Sequence, residues 1–372
     1  MATWFRRIRS GFEEIQVPER SRTRPKMIAN FAVTYRCDSH CRTCNIWRIE
    51  GPERDELTLE EVRGLYESNR EFLSDVGYIQ ITGGEPFLRP DLPEIVSVIH
   101  ETLPRCVLGA PTNGMEPDRI ERATETIIEC LGGQGFGVVV SIDGLERTHD
   151  TIRGVDGSFR KAVETLRRLT ALVDRYPGLR VVVGMTLTSE NYDELLEVFL
   201  LARKYGARFS FRPINYSDIY YRNARDELSM REAAGELLPA IQRLGRAVVE
   251  RYGISAAAPT LCYYQGAIDY IRNPLKRWLR CSAATDSMFL DPYGNVYPCI
   301  FMDEKMGNIR EAPMGKIWGS KEASVARLRI MNGECPGCWV ECEAFRDIHK
   351  DPKRLASSAL RALLHPKTAG IR

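Results

Sequence analysis

Residues 37–44 read CDSHCRTC, three cysteines spaced C-x3-C-x2-C directly after the apolar run IANFAVTYR. Thiolates are soft ligands suited to zinc and to iron–sulfur clusters. A closed structural zinc site takes four ligands, so three leave a position open. Three cysteines can hold three irons of a [4Fe–4S] cube, with the fourth iron left to bind another molecule. A zinc site that borrows His40 or a distant fourth ligand is an alternative, as are three separately buried cysteines acting as small hydrophobes. Asp38, His40, Arg42 and Thr43 make the loop polar, which fits a ligand site better than a core.

A second group, Cys281, Cys299, Cys335, Cys338 and Cys342, is spaced C-x17-C-x35-C-x2-C-x3-C. Four of these thiols suffice to close another cube. Cys281, Cys299, Cys335 and Cys338 are the favoured set and Cys342 the surplus member, while a zinc knuckle remains the alternative. Cys106 and Cys130 lie in strand and helix contexts and read as buried hydrophobes. Cys262, in APTLCYYQG, either packs under Tyr263 and Tyr264 or reaches a site at the junction of two domains.

These groups need elements to position them. Strand candidates are 28–35, 78–84, 106–113, 135–143, 179–188 and 207–214, alternating with helical stretches at 58–72, 91–103, 116–131, 158–175 and 190–205. Thr58 and Glu61 form a capping-box pair, and the near-continuous Val/Ile runs suit parallel strands buried on both faces. Six β-α repeats predict an α/β fold, a partial (β/α)6 TIM-like barrel, with chemistry at the C-terminal ends of the strands. CDSHCRTC follows the first strand, GGEP the second, TNG the third and SIDG the fourth. After a helix near 229–251 the repeats stop. SMFLDPYGNVYPC then reads as a β-hairpin around turn residues DPYGN. The expected organisation is an extension over 1–26, the barrel over 27–255, a small cysteine-rich domain over 256–350 and a helical tail over 351–372.

Bulk properties narrow the class. Fifty-two Lys+Arg against 50 Asp+Glu give a net charge of +2 over 372 residues, so no global field points to nucleic acid. The start has no continuous apolar core of a secretory signal, and no stretch approaches a membrane span. The expected location is therefore cytoplasmic, where eleven cysteines are explained better by metal ligation than by disulfides. Trp4, Phe5, Ile8, Phe12 and Ile15 share a helical face beside Arg6, Arg7 and Arg9. Packing on the protein's own body is favoured for it over a membrane surface.

CDSHCRTC resembles the C-x3-C-x2-C signature of the radical S-adenosylmethionine (SAM) superfamily. The resemblance implies that the open iron of the cluster binds SAM, whose reductive cleavage gives a 5′-deoxyadenosyl radical that abstracts a hydrogen atom from substrate. It also implies a flavodoxin- or ferredoxin-type electron donor. The residue before the last cysteine is usually aromatic in that family and is Thr43 here, which leaves Ile46 and Trp47 to contribute. Gly83, Gly84 and Glu85 match the family's GGEP segment, which receives the SAM ammonium. SIDGLERTHDTIRG (141–154) is similar to the strand-four segment of relatives with a C-terminal SPASM or twitch domain. By that likeness Ser141 and Asp143 face SAM's ribose or methionyl group and Arg153 its carboxylate. The alternative is that His149, Asp150 and Arg153 order their own loop. Asn113 stands at cofactor level, with Thr186 and Arg212 as weaker candidates.

GNVYPC matches the G-x4-C element of the auxiliary-cluster domain, and five cysteines in place of a full SPASM domain's seven fit one auxiliary [4Fe–4S] cluster. The residue after Cys299 is Ile300 rather than the Asp of sulfatase-maturing relatives. The 36 residues before Cys37 are few for a fused leader-peptide binder, and no cobalamin-binding domain is visible. The expected activity is therefore dehydrogenation or epimerisation of a small molecule such as a sugar, aminocyclitol or lipid precursor, with Cys262 as a candidate hydrogen-atom donor in the second case. A peptide-modifying maturase and a non-catalytic iron–sulfur or zinc scaffold are the alternatives.

Overall fold

Six runs, all but the last containing β-branched residues, form parallel strands: β1 (Met27–Thr34), β2 (Val76–Gly83), β3 (Val107–Thr112), β4 (Phe136–Ser141), β5 (Leu179–Leu187) and β6 (Arg208–Pro213). The computed structural model describes residues 27–51, 53–223, 230, 233–274 and 279–372. The amphipathic segment from Trp4 to Ile15 lies outside them. All eight residues of β1 are buried, as expected of a strand covered on both faces. In β4 burial alternates: Phe136, Val138 and Val140 pack outward while Gly137, Val139 and Ser141 line an inner cavity.

The helices are α1 (Leu59–Ser68), α2 (Arg70–Leu73), α3 (Leu92–Thr102), α4 (Pro117–Cys130), α5 (Glu146–Arg153), α6 (Ser158–Leu172), α7 (Leu195–Lys204), α8 (Ala234–Tyr252), α9 (Ile254–Arg272), α10 (Met314–Trp318), α11 (Lys321–Asn332), α12 (Glu341–His349) and α13 (Pro352–Leu364). The capping box is present: Glu61 N donates to Thr58 Oγ1 at 3.2 Å and Thr58 N to Glu61 Oε2 at 2.9 Å. The helix expected over 58–72 breaks at Asn69. That side chain donates to Leu65 O (2.8 Å) and accepts from Met314 N (2.7 Å), so a tertiary contact joins a local competitor of the helix ladder.

Three short strands, β7 (Ser287–Leu290), β8 (Asn295–Tyr297) and β9 (Gly307–Asn308), complete one sheet ordered β6-β5-β4-β3-β2-β1-β7-β8-β9. The DPYGN hairpin forms as expected between β7 and β8. It does not stand in a sheet of its own: β7 pairs parallel with β1, Phe31 opposite Leu290. An unpaired edge of β1 would leave a row of backbone donors and acceptors without partners. The barrel stays open: the edge strands of the sheet are β6 and β9. There α9 packs on β6, with Tyr263 Oη donating to Phe211 O (3.0 Å) and Tyr264 stacked on Phe211 at 5.1 Å. Next to it α12 joins β7 through Ser287 Oγ to Glu343 Oε1 (3.0 Å) and stacks Phe345 on Tyr263 at 4.8 Å. Among the described residues no helix is long and apolar enough to cross a membrane.

Candidate functional site

The loop that follows β1 is held from outside. His40 N donates to Arg153 O (2.9 Å) and Arg42 N to Ile152 O (2.8 Å), carbonyls at the end of α5 that lack partners within their own helix. Gly154 ends α5 at φ +67°, and a Cβ there would stand 2.5 Å from His40 O, so the turn and the close approach both require glycine. Asn113 Nδ2 donates to Asp38 Oδ1 (2.6 Å) and Ser39 Oγ (3.0 Å), and Asn223 Nδ2 to Thr43 O (2.9 Å). Cys37, Cys41 and Cys44 are thus carried by a loop braced on several sides.

The end of β2 presses on the same loop. A Cβ at Gly83 would lie 2.0 Å from Thr34 O, and one at Gly84 2.3 Å from Arg36 O. Gly84 N and Glu85 N donate to those carbonyls at 2.9 and 2.8 Å. Glu85 is buried, with Oε2 accepting from Asn113 N (2.6 Å) and Oε1 from Phe87 N (3.1 Å). Burial pushes its carboxyl up to about 8.

From β4, Asp143 Oδ2 pairs with Arg153 Nη2 at 2.7 Å and Oδ1 accepts from Thr186 N at 2.8 Å. Asp143 N donates to His149 Nδ1 (3.0 Å). Burial, then the Arg153 charge, holds His149 down to about 4, so the ring is neutral near pH 7. Arg153 Nη1 lies 3.7 Å from Cys41 Sγ. Burial raises the Cys41 thiol and the guanidinium opposes that rise. Asp150 caps α6 through Gly157 N (2.7 Å), Ser158 Oγ (2.8 Å) and Phe159 N (2.7 Å). His149 and Asp150 therefore order the loop, as the alternative reading had it, while Asp143 and Arg153 face inward.

A cavity of about 880 Å³ runs through the barrel and reaches the three cysteines, Gly83, Gly84, Glu85, Asn113, Ser141, Asp143 and Arg153. The strand-end residues expected to act together do converge. Ile46, Trp47 and Thr43 reach it as well, as do Thr186 and Arg212. One participant has no sequence signal: the segment after β6. Tyr220 Oη donates to Gly83 O (2.8 Å) and lies 2.7 Å from Thr82 Oγ1, Asn45 N donates to Tyr221 O (2.7 Å), and Ser217 Oγ donates to Ile300 O (2.6 Å).

The model of the family described as "Radical SAM superfamily" matches residues 31–202, and the SPASM model, "Iron-sulfur cluster-binding domain", matches 281–342. The chain belongs to the radical SAM superfamily. It is 22% identical over 346 residues to a pre-heme d1 synthase of Dinoroseobacter shibae, covering 86% of this chain and 81% of that protein. It is 25% identical over 339 residues to an AdoMet-dependent heme synthase of Methanosarcina barkeri, covering 84% and 88%. The bacteriocin biosynthesis protein AlbA of Bacillus subtilis is 24% identical over 355 residues, 89% of this chain and 69% of AlbA. In fold it is similar to SuiB of Streptococcus suis, bound to S-adenosylmethionine (TM-score 0.57, 14% identity, 81% of this chain and 67% of that one). It is likewise similar to AdoMet-bound anSMEcpe (TM-score 0.57, 14% identity, 90% and 99%).

This radical SAM enzyme uses SAM, the [4Fe–4S] cluster that binds it and an auxiliary iron–sulfur cluster. The donor set at the mouth fits the first cluster: three thiols on one braced loop, a guanidinium aimed at one sulfur, and a buried Arg153 Nε with no hydrogen-bond partner.

The C-terminal cysteines of this radical SAM protein are less gathered. Cys299 is buried near Cys281 and Glu343, and its thiol is pushed far up, by burial first. Cys338 lies by Tyr270 of α9, and Cys342 lines the barrel cavity, its thiol raised by burial to about 12. No three His, Cys, Asp or Glu side chains close around a single metal ion among the described residues; in a cube each cysteine takes a different iron. Cys262 is a correction. It does not reach the barrel mouth: its Sγ faces Arg354 O at 3.7 Å between α9 and α13, because the side of α9 that meets the barrel is taken by Tyr263 and Tyr264.

Proposed function

We propose that this enzyme reductively cleaves SAM to a 5′-deoxyadenosyl radical, which takes a hydrogen atom from a small molecule held in the barrel and leads to its dehydrogenation. The observation behind this reading is the single cavity joining the cysteine loop to the hollow interior of the barrel. Cys37, Cys41 and Cys44 hold the first cluster, which supplies the electron for SAM cleavage when bound. Glu85 receives the ammonium, aided by Gly83 and Gly84, while Arg153, kept on Asp143 through Nη2, receives the carboxylate with its unpartnered Nε. Asn113, Ser141 and Asp143 align the rest of SAM. Four of Cys281, Cys299, Cys335, Cys338 and Cys342 hold the auxiliary cluster.

Dehydrogenation is preferred to epimerisation because Cys262 lies off the cavity. Epimerisation stands as a second reading because another thiol, Cys342, lines it. Turnover in deuterated water separates them: a product lacking two hydrogens and free of solvent label supports dehydrogenation, whereas deuterium at an inverted carbon overturns it. Relatives matched over most of both chains are named for heme synthesis, which supports a small molecule and widens the class beyond sugar, aminocyclitol or lipid precursor; PqqA peptide cyclases match as broadly. AlbA and the peptide-bound SuiB support a peptide substrate as the competing class. A mass loss on a short peptide encoded beside the gene, after co-expression, would establish that class.

A further inference from the structure

Side chains of a strand alternate between its faces, so each barrel strand sends every second residue into the lumen. On β6 these are Arg208, Ser210 and Arg212, with Ile214 just beyond its end, and on β5 Arg180, Val182 and Thr186. Closed barrels fill that space with branched apolar side chains; this one is hollow, and arginines enter it from β5 and β6. Arg212 stands opposite Thr186, near Asp143. Its guanidinium is enclosed by protein and keeps surface only toward the cavity. Among the described residues it makes no hydrogen bond, and no carboxylate reaches ion-pairing distance. Asp143 is committed to Arg153 at 2.7 Å, while Tyr221 and, on α12, Glu341 line the same cavity and contribute only longer-range fields. A guanidinium brings five donors and does not lose its proton, and a buried charge without a partner is costly. Arg153, by contrast, is already paired.

We infer that Arg212 anchors an anionic group of the substrate, a carboxylate or a phosphate, within the barrel. The inference deepens the reading of SAM-dependent oxidation of a small molecule and rests on it. Glu341 is then the acceptor for a hydroxyl or ammonium of the same ligand, so the fitting class is an acid that also carries such a donor. Bound this way, the anion completes the guanidinium's hydrogen bonds and fixes the carbon that faces the SAM end of the cavity.

Thermal unfolding of the anaerobically reconstituted holoenzyme tests this with three probes, 2-hydroxyglutarate, inorganic phosphate and SAM, each against chloride at equal ionic strength. The wild type is expected to gain about 2 °C or more with one of the first two, and which one identifies carboxylate or phosphate. Arg212→Met should lose that gain while unfolding, without ligand, no lower than the wild type, because it removes an unpaired buried charge. Arg212→Lys should keep part of the gain. An equal gain in Arg212→Met, no gain in the wild type, or a drop of several degrees in ligand-free Arg212→Met overturns the inference. Loss of the SAM response alone makes Arg212 a SAM contact and overturns it too. Reductive SAM cleavage by the same wild-type sample monitors the underlying reading: cleavage without an anion response sinks only the anchor, and an anion response without cleavage sinks only the radical chemistry.

Discussion

The two cysteine regions are built in opposite ways. Cys37, Cys41 and Cys44 occupy eight consecutive residues, braced by α5, Asn113 and Asn223, with a guanidinium 3.7 Å from one sulfur. The other five are spread from 281 to 342 over a hairpin flank, a loop and a helix, and Cys299 and Cys342 have carboxylates, Glu343 and Glu341, as neighbours. A positive neighbour favours the thiolate that a metal needs, and a negative one opposes it. Both signs stand at each site, Arg153 with Asp143 at Cys41 and Arg346 and Arg212 with Glu343 and Glu341 at Cys342, so assembly separates them: the mouth is one short braced loop, whereas the C-terminal site depends on the whole fold to collect its ligands.

The largest expected effect breaks this pairing at the metal. Cys41→Ala and Cys299→Ala should each lower iron from about eight to about four per chain. Only Cys41→Ala should abolish 5′-deoxyadenosine formation; Cys299→Ala should keep it while losing substrate turnover. If Cys299→Ala also stops SAM cleavage, the division of labour is wrong.

Next come two buried guanidinium groups, one at each site. Arg153 faces one carboxylate, Asp143, and Arg346 faces three, Glu343, Asp286 and Asp347. Removing one side of a buried pair costs about 3–5 kcal/mol. Urea unfolding should find Arg346→Met the less stable variant, whereas Arg153→Met should show the larger rise in the SAM concentration for half-maximal cleavage. The reverse order would show that Arg153 is structural and Arg346 catalytic.

The smallest effect is a difference in pH dependence. His149 is held at about 4 against an ordinary 6.5. Below 6.5 the unfolded chain takes up a proton that the fold refuses. Stability should therefore fall by up to about 3 kcal/mol between pH 6.5 and 4 and then level off. His149→Gln should flatten that limb. Asp347, near the auxiliary site, is shifted up by burial, so its contribution has the opposite sign and is lost as pH rises through the carboxylate range. Parallel curves for His149→Gln and wild type would remove the mouth's half of this contrast.

Much of the mouth was legible because its signals are local. A C-x3-C-x2-C loop, a Gly-Gly pair and SIDG each lie at the end of a β-branched run, and a parallel barrel brings strand ends together. Glu85 and Asp143 were found this way. Asn113, Arg153 and Thr186 were named too, but not the pairings: Glu85 meets the Asn113 amide and Asp143 meets Thr186 between separate strands, and Asp143 meets Arg153 across the helix that follows it. Tyr220 and Asn223 were missed because NYSDIYYRN has neither periodicity nor a known motif. Of the two readings of Cys262, burial stands and reach to the cavity does not; Pro259, inside the sequence ISAAAPTLCYYQ, hid the 19-residue helix α9 and so the face each side chain takes.

By itself the sequence determined the strand–helix alternation, the ligand types and the strand ends that bear them, since periodicity and thiol spacing are properties of the chain. Tertiary structure alone decided that the hairpin extends β1, that α9 and α12 fill the open barrel, and that Cys342, Glu341 and Arg212 face one cavity while Cys262 does not. An open sheet edge and an open barrel must be covered by whatever apolar or hydrogen-bonding surface the rest of the chain can supply. That choice depends on packing across some two hundred residues of separation.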